Sequence, residues 1–262
     1  MFNTGTNLLY TTLDNNCVNE DRTKAFGKQS KGMQWQAPWG KHSPISYRKL
    51  HFAKSSQQID VDHFMPVAII KDPFTWMTSM CRHAYAANWK RDPVEHCPNL
   101  VPNQVDYNKF GKQKYDDNVM QTGISVSVQF NPNITNYQNL ADLWNTWYGN
   151  YVDLDTAAHG PRLMIRFEDL LLHAETIIPK ICECVGGTMQ NNGKYKYTVD
   201  SAKGTDGAHK GASGLSEAIQ RYVSLTKRVE KFTEEDLQFS NKHLNQTLMN
   251  IFHYSMPALN VN

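Results

Sequence analysis

The residues Val67-Ala-Ile-Ile-Lys-Asp-Pro-Phe-Thr-Trp-Met-Thr-Ser-Met-Cys81 decide how this chain folds. Four apolar residues, Val67 to Ile70, are too few for a helix and read as a strand buried on both faces. Asp72-Pro73 ends the run, because proline pushes the residue before it out of the helical region. Pro73 can itself open a helix, where its missing N–H costs nothing. Phe74, Met77 and Cys81 then recur at helical spacing. A strand, a sharp turn and a helix form the arrangement in which α/β proteins hold anionic ligands, at the carboxyl end of the strand. Lys71 stands at that end, and Ser79 lies two helical turns further on.

Outward from this stretch, the pattern repeats. Met33 to Gly40 reads as a short strand carrying Trp35 and Trp39, and it ends in Gly40-Lys41-His42-Ser43-Pro44. Lys41 and His42 are either a solvated cation and a surface imidazole or a paired cation and base. Ile124 to Phe130 alternates apolar and polar residues, as a half-buried strand does. Leu140, Leu143, Trp144, Trp147, Tyr148 and Tyr151 form an apolar stripe at helical spacing, read as core packing rather than a ligand platform. Leu163 to Phe167 predicts another strand, followed by Glu168-Asp169. Glu175 to Val185 predicts a helix with Ile177, Ile178 and Ile181 inward and Gly186-Gly187 as its stop. Leu215, Ala218, Ile219 and Tyr222 mark a short helix. Thr233-Glu-Glu-Asp236 resembles a capping box opening a last helix, with Leu237, Leu244, Leu248 and Phe252 inward. Buried strands alternating with helices imply a parallel α/β sheet. The segment 82–139, rich in Asn, Pro, Tyr and Lys, is either a substrate-facing insertion or a surface excursion.

The 262 residues, 40% of them hydrophobic, can bury one large core, and residues 1–262 are read as a single domain. A net charge of +2, from 27 basic and 25 acidic side chains without a dense basic run, argues against nucleic acid or a membrane surface as partner. No apolar run reaches the length of a membrane span. Met1-Phe2-Asn3-Thr4-Gly5-Thr6-Asn7 puts a turn almost at the first residue, with Leu8, Leu9, Leu13 and Cys17 at roughly helical spacing behind it. Such a turn needs a buried strand to aim its N–H groups, and only Met1 and Phe2 stand where that strand would be, so the first strand is expected to be cut short. Among the 5 cysteines, Cys182 and Cys184 point to different helix faces, which argues against a shared metal. His96-Cys97 lacks a companion pair, so no metal is expected. Cys81 and Cys97 could pair in an oxidising compartment. Asn133-Ile-Thr135 and Asn245-Gln-Thr247 fit the glycosylation pattern, which also arises by chance.

Five motifs in order then resemble a known family. They are Gly5-Thr6-Asn7, Lys41-His42-Ser43-Pro44, Lys71-Asp-Pro73 with Ser79, Arg166-Phe-Glu-Asp-Leu170 and His209-Lys-Gly-Ala-Ser-Gly214. Together they resemble the P-loop sulfotransferases, which move a sulfuryl group from 3′-phosphoadenosine 5′-phosphosulfate to an acceptor hydroxyl or amine. The resemblance spans most of the chain except 82–139. It implies a three-layer fold, a P-loop-type parallel central sheet flanked by helices. It also implies that Thr4, Gly5, Thr6 and Asn7 cradle the 5′-phosphosulfate. Lys71 and Ser79 would hold the 3′-phosphate, and Lys210, Gly211 and Gly214 would close over it. His42 would be the general base and Lys41 a catalytic cation beside it.

The sequence departs from the family pattern at four places. Asn3 stands for the loop lysine, Leu8 for an aromatic residue beside the adenine, Lys71 for an arginine and His209 for another. Lysine offers a point charge where arginine offers a fork, and Lys41 is the candidate to stabilise the leaving group in place of the loop lysine. The chemistry asks mainly for alignment and charge stabilisation. A histidine, ordinarily of pKa near 6.5, can take the acceptor's proton at neutral pH. The acceptor, a small molecule or a glycan, is not legible, and neither is oligomeric state. The alternatives are a P-loop small-molecule kinase, for which no Gly-x-x-x-x-Gly-Lys-Ser/Thr run exists, and a catalytically silent nucleotide-binding relative. The glycosylation patterns and the possible disulfide lean towards the Golgi lumen, which would need an anchor upstream of this chain; the alternative is the cytoplasm.

Overall fold

The computed structural model describes residues 1–26, 37–48, 64–130, 133–153, 160–200 and 214–258. The chain is mixed α/β. Helix α1 (Thr6–Asn16) follows the opening turn, and β1 (Cys17–Val18) and α2 (Glu20–Phe26) come next. Then follow β2 (Val67–Ile70), α3 (Pro73–Arg82), β3 (Ala87–Asn88), α4 (Gln104–Phe110), α5 (Val119–Thr122), β4 (Val126–Phe130) and β5 (Asn133–Tyr137). The second half carries α6 (Leu140–Val152), β6 (Leu163–Arg166), α7 (Phe167–Leu172), α8 (Ala174–Cys184), β7 (Thr188–Met189), α9 (Leu215–Tyr222), α10 (Glu234–His243) and α11 (Gln246–Ile251).

Strand β2 forms where expected and pairs in parallel with β6, Val67 opposite Leu163 and Ile70 opposite Arg166. Its two faces feed two apolar clusters. Ala68 and Ile70 join the larger one with α3, α6 and the 82–139 segment. Ile69 joins the smaller one with α1, α7 and α8. Burial on both faces is why the strand reads as an unbroken apolar run. Among the described residues, parallel pairing is confined to β2 and β6; β1 pairs with β7, and β3-β4-β5 form an antiparallel sheet.

Helix α3 begins as its sequence dictates: Asp72 caps it by accepting from the Thr75 N–H at 3.0 Å, with Pro73 in the first turn. The apolar stripe of α6 is core, and its polar tips serve the strand edge. Tyr148 Oη donates to the Ile69 carbonyl at 3.0 Å and Trp144 Nε1 to the Lys71 carbonyl at 3.0 Å. These bonds satisfy backbone oxygens that would otherwise lie buried without partners.

Three expectations need correction. Residues 37–40 are a turn closed by Gly40 N–H on the Ala37 carbonyl, not the end of a strand; 33–36 lie outside the described residues. Phe167 opens α7 rather than ending β6. The predicted last helix is two, α10 and α11, broken where Leu244 turns extended and Asn245 recaps the chain. No helix among the described residues is long and apolar enough to cross a membrane.

Segment 82–139 is fastened at both ends of its first half. Cys81 and Cys97 form a disulfide. His96, 3% exposed, lies between two buried aspartates, with Nδ1 2.7 Å from Asp106 and Nε2 2.9 Å from Asp236. Each aspartate is the third residue of a capping box, on α4 after Asn103 and on α10 after Thr233. The histidine therefore ties two helix starts together. A second disulfide, Cys17–Cys182, joins the end of α1 to α8 and leaves Cys184 free and exposed.

Candidate anion site at the carboxyl end of the parallel strands

The opening turn, Met1 to Gly5, packs over the carboxyl ends of β2 and β6. Gly5 has φ +84°, and a Cβ there would lie 2.5 Å from Phe167 Cδ2. Only glycine meets both demands. Trp76 Nε1 donates to the Phe2 carbonyl at 3.0 Å, and Thr4 turns its hydroxyl inward to the Met1 carbonyl at 3.2 Å. Asn3 acts as a clamp: Nδ2 donates to the His83 carbonyl at 2.7 Å and the Ser79 carbonyl at 3.3 Å. The first loop and the end of α3 are thus bound to each other. Thr6 and Asn7 open α1, so their N–H groups lie at its amino end.

Lys71 is buried at 2% exposure. Its Nζ lies 3.0 Å from Ser79 Oγ and 3.4 Å from the Asn3 carbonyl. The ammonium sits 4.5 Å from the centre of the Phe167 ring and 3.8 Å from that of Tyr222, a favourable pairing for a cation. Arg82 joins the cluster: one Nη2 donates to Ser79 Oγ at 3.1 Å and to Tyr222 Oη at 3.0 Å. Burial alone would raise the Tyr222 pKa. Lys71, Arg82 and Arg221 outweigh it and bring the phenol down to about 8. Ser79 Oγ gives its own hydrogen to the Thr75 carbonyl at 2.9 Å, so the two cations are the donors here that suit a phosphate or sulfate, with the Tyr222 hydroxyl beside them.

Behind Lys71 the turn is held rigidly. Glu168 Oε1 accepts the Asp72 N–H at 3.1 Å, and Tyr254 Oη donates to Glu168 Oε2 at 2.7 Å. Arg228 Nη1 pairs with Asp72 at 3.0 Å. Burial pushes both carboxyl groups up in pKa, and these bonds oppose it.

Lys41 and His42 reach the same loop from its other side. Lys41 Nζ donates to Asn7 Oδ1 in the first turn of α1. His42 Nδ1 lies 2.9 Å from the Met1 carbonyl. A carbonyl only accepts, so Nδ1 carries the hydrogen of the neutral ring and Nε2 is its basic nitrogen. A cavity of about 370 Å³ opens beside Thr4, Thr6 and Lys41 and runs along β2.

The structure therefore gathers Thr4, Gly5, Thr6, Asn7, Lys41, His42, Lys71 and Ser79 around one loop. Lys210 and Gly211 lie outside the described residues; Gly214 precedes α9, which carries Tyr222. Arg82, Phe167 and Tyr222 were not foreseen. Arg82 had a signal, standing three residues after Ser79 on the same helix face. Tyr222 had none beyond its apolar spacing. No protein-family model, no curated protein and no solved structure matches this chain.

Proposed function

We propose that the protein is a sulfotransferase that takes a sulfuryl group from 3′-phosphoadenosine 5′-phosphosulfate and delivers it to an acceptor hydroxyl or amine. The observation that carries the reading is the clasp between the opening loop and the Lys71–Ser79–Arg82–Tyr222 cluster, in which a helix start and a pair of cations, each suited to an anion, are bound to each other. Lys71, Ser79 and Arg82 hold the 3′-phosphate, with Tyr222 beside them. Gly5, Thr6 and Asn7, at the start of α1, receive the 5′ end, where helix N–H groups favour negative charge. The three-layer P-loop-type sheet belongs to the same proposal, with β2 and β6 as two of its strands.

The bound donor supplies an activated sulfur centre. This chain's residues supply alignment, a proton acceptor and a cation. His42 Nε2 takes the proton of the attacking hydroxyl, and the Met1 carbonyl keeps the ring in the tautomer that allows this. Lys41, held by Asn7 at the helix start, stabilises the charge that grows on the departing phosphate. Asn3 spends its amide on Ser79 and His83 and so binds the loop rather than the ligand.

Calorimetry with adenosine 3′,5′-bisphosphate and with Mg-ATP tests the reading. Tight bisphosphate binding lost in Lys71→Met supports it, and a preference for Mg-ATP favours a kinase. Bisphosphate binding with no transfer of labelled sulfate to any member of an acceptor panel would identify a silent nucleotide-binding relative.

A further inference from the structure

Strand β5 is the outer member of the β3-β4-β5 sheet, and among the described residues nothing pairs with its free edge. Unpaired N–H and C=O groups along such an edge are a template for pairing with another chain. Folded proteins blunt that hazard with lysine, proline or a bulge in the edge strand. Asn133-Ile-Thr-Asn-Tyr137 has none of these. It carries no charge and no proline, and it pairs with β4 in unbroken register from Asn133 opposite Phe130 to Tyr137 opposite Val126. Ile134 is 64% exposed. A short, uncharged strand laid open in this way is prone to aggregate.

The strand also carries a means of covering its edge. Asn133-Ile-Thr135 fits the acceptor pattern for N-linked glycans. Asn133 stands at the open end of the β4–β5 hairpin and is exposed. The chain's other such pattern, Asn245-Gln-Thr247, already has a use in the fold: Asn245 Oδ1 accepts the Leu248 N–H at 3.1 Å and caps α11. Asn133 caps no helix. The disulfides supply an independent observation. Cys17–Cys182 and Cys81–Cys97 take up every cysteine but Cys184, and such bonds belong to oxidising compartments. The secretory lumen is one of these, and there Asn-x-Thr is modified.

We propose that Asn133 carries an N-linked glycan and that this glycan shields the β5 edge from pairing with other chains. The inference stands apart from the donor reading. Asn133 Nδ2 forms a bond to the anomeric carbon of an oligosaccharide carried on a lipid pyrophosphate. The bond from that carbon to the pyrophosphate oxygen breaks, and the pyrophosphate keeps the electron pair. The amide nitrogen gives up one proton to the glycan transferase. The attached sugar is bulky and hydrated, and it occupies the water beside the edge where a second strand would lie.

The test begins with peptide mapping of the protein isolated from its own cells. The peptide holding Asn133 should gain a glycan mass that an endoglycosidase removes, leaving aspartate at position 133. Unmodified Asn133 overturns the site. The second step compares the full chain, produced through a eukaryotic secretory pathway, before and after endoglycosidase treatment, by light scattering on a sizing column. Loss of the glycan should shift the protein to dimers or larger species. Asn133→Gln should behave like the treated protein, and adding Ile134→Lys should reverse the shift by placing a charge on the edge. Treating the folded protein keeps the comparison valid if Asn133→Gln fails to fold. An occupied Asn133 whose removal leaves the mass of the assembly unchanged overturns the shielding role.

Discussion

Replacing His96 with glutamine should destabilise the protein by about 3–5 kcal/mol near neutral pH, the usual cost of breaking a buried charge pair, and by far less above about pH 9. Burial alone would lower the pKa of this imidazole. The hydrogen bonds and charges of Asp106 and Asp236 outweigh it and raise it to about 9. In the unfolded chain a histidine titrates near 6.5. The folded state therefore binds the proton more tightly, and the resulting stability is complete below about pH 6.5 and lost as pH rises through about 9. At about 1.4 kcal/mol per pKa unit, that contribution is about 3 kcal/mol. Little screening reduces it, since His96 is 3% exposed. Urea unfolding of the two proteins at about pH 6 and about pH 9.5 should show the difference between them shrinking by about that amount, with similar m values. Tyr222 titrates in the same range, but it is present in both proteins and cancels. Parallel stability curves at the two pH values would refute the charged-histidine account of how segment 82–139 is fastened to α10.

Three further outcomes concern the anion site. Binding of adenosine 3′,5′-bisphosphate should weaken as pH rises through about 8, because Tyr222 then becomes a phenolate, its oxygen 3.0 Å from Arg82 Nη2 and its ring centre 3.8 Å from Lys71 Nζ; the fall is at most about tenfold per pH unit. Tyr222→Phe should flatten that limb in calorimetry, and a flat profile in the unaltered protein would remove Tyr222 from the site. Gly5→Ala should cost about 2–4 kcal/mol in thermal unfolding, from the left-handed backbone and from the clash with the Phe167 ring; an unchanged melting temperature contradicts the loop's packing. His42→Ala should lower turnover about 10²–10⁴-fold with bisphosphate affinity kept, and unaltered turnover removes His42 as the base.

The parts legible in the sequence are those whose signals are local. Val67–Ile70, Asp72-Pro73, the α6 stripe and the Thr233 capping box each carry their pattern within a few residues, and each forms. Strand β5 was missed because it is mostly solvated and polar, so no alternation marks it. The break between α10 and α11 escaped because Leu244 and Leu248 keep the apolar period across it. The partners of His96 lie 10 and 140 residues away, and Cys17 pairs across 165; spacing holds no record of such contacts. The candidate site was legible where a motif ties a residue to a strand end, as with Lys71 and Ser79. Tyr222 enters it from 140 residues beyond Arg82.

The indole N–H groups of Trp76 and Trp144 end on the Phe2 and Lys71 carbonyls, one on each wall of the clasp. Indole emission shifts with the polarity and hydrogen bonding around the ring. The protein thus carries two fixed optical gauges, so any loosening of the clasp can be followed in stopped flow without a dye, the proposed nucleotide being the first ligand to mix.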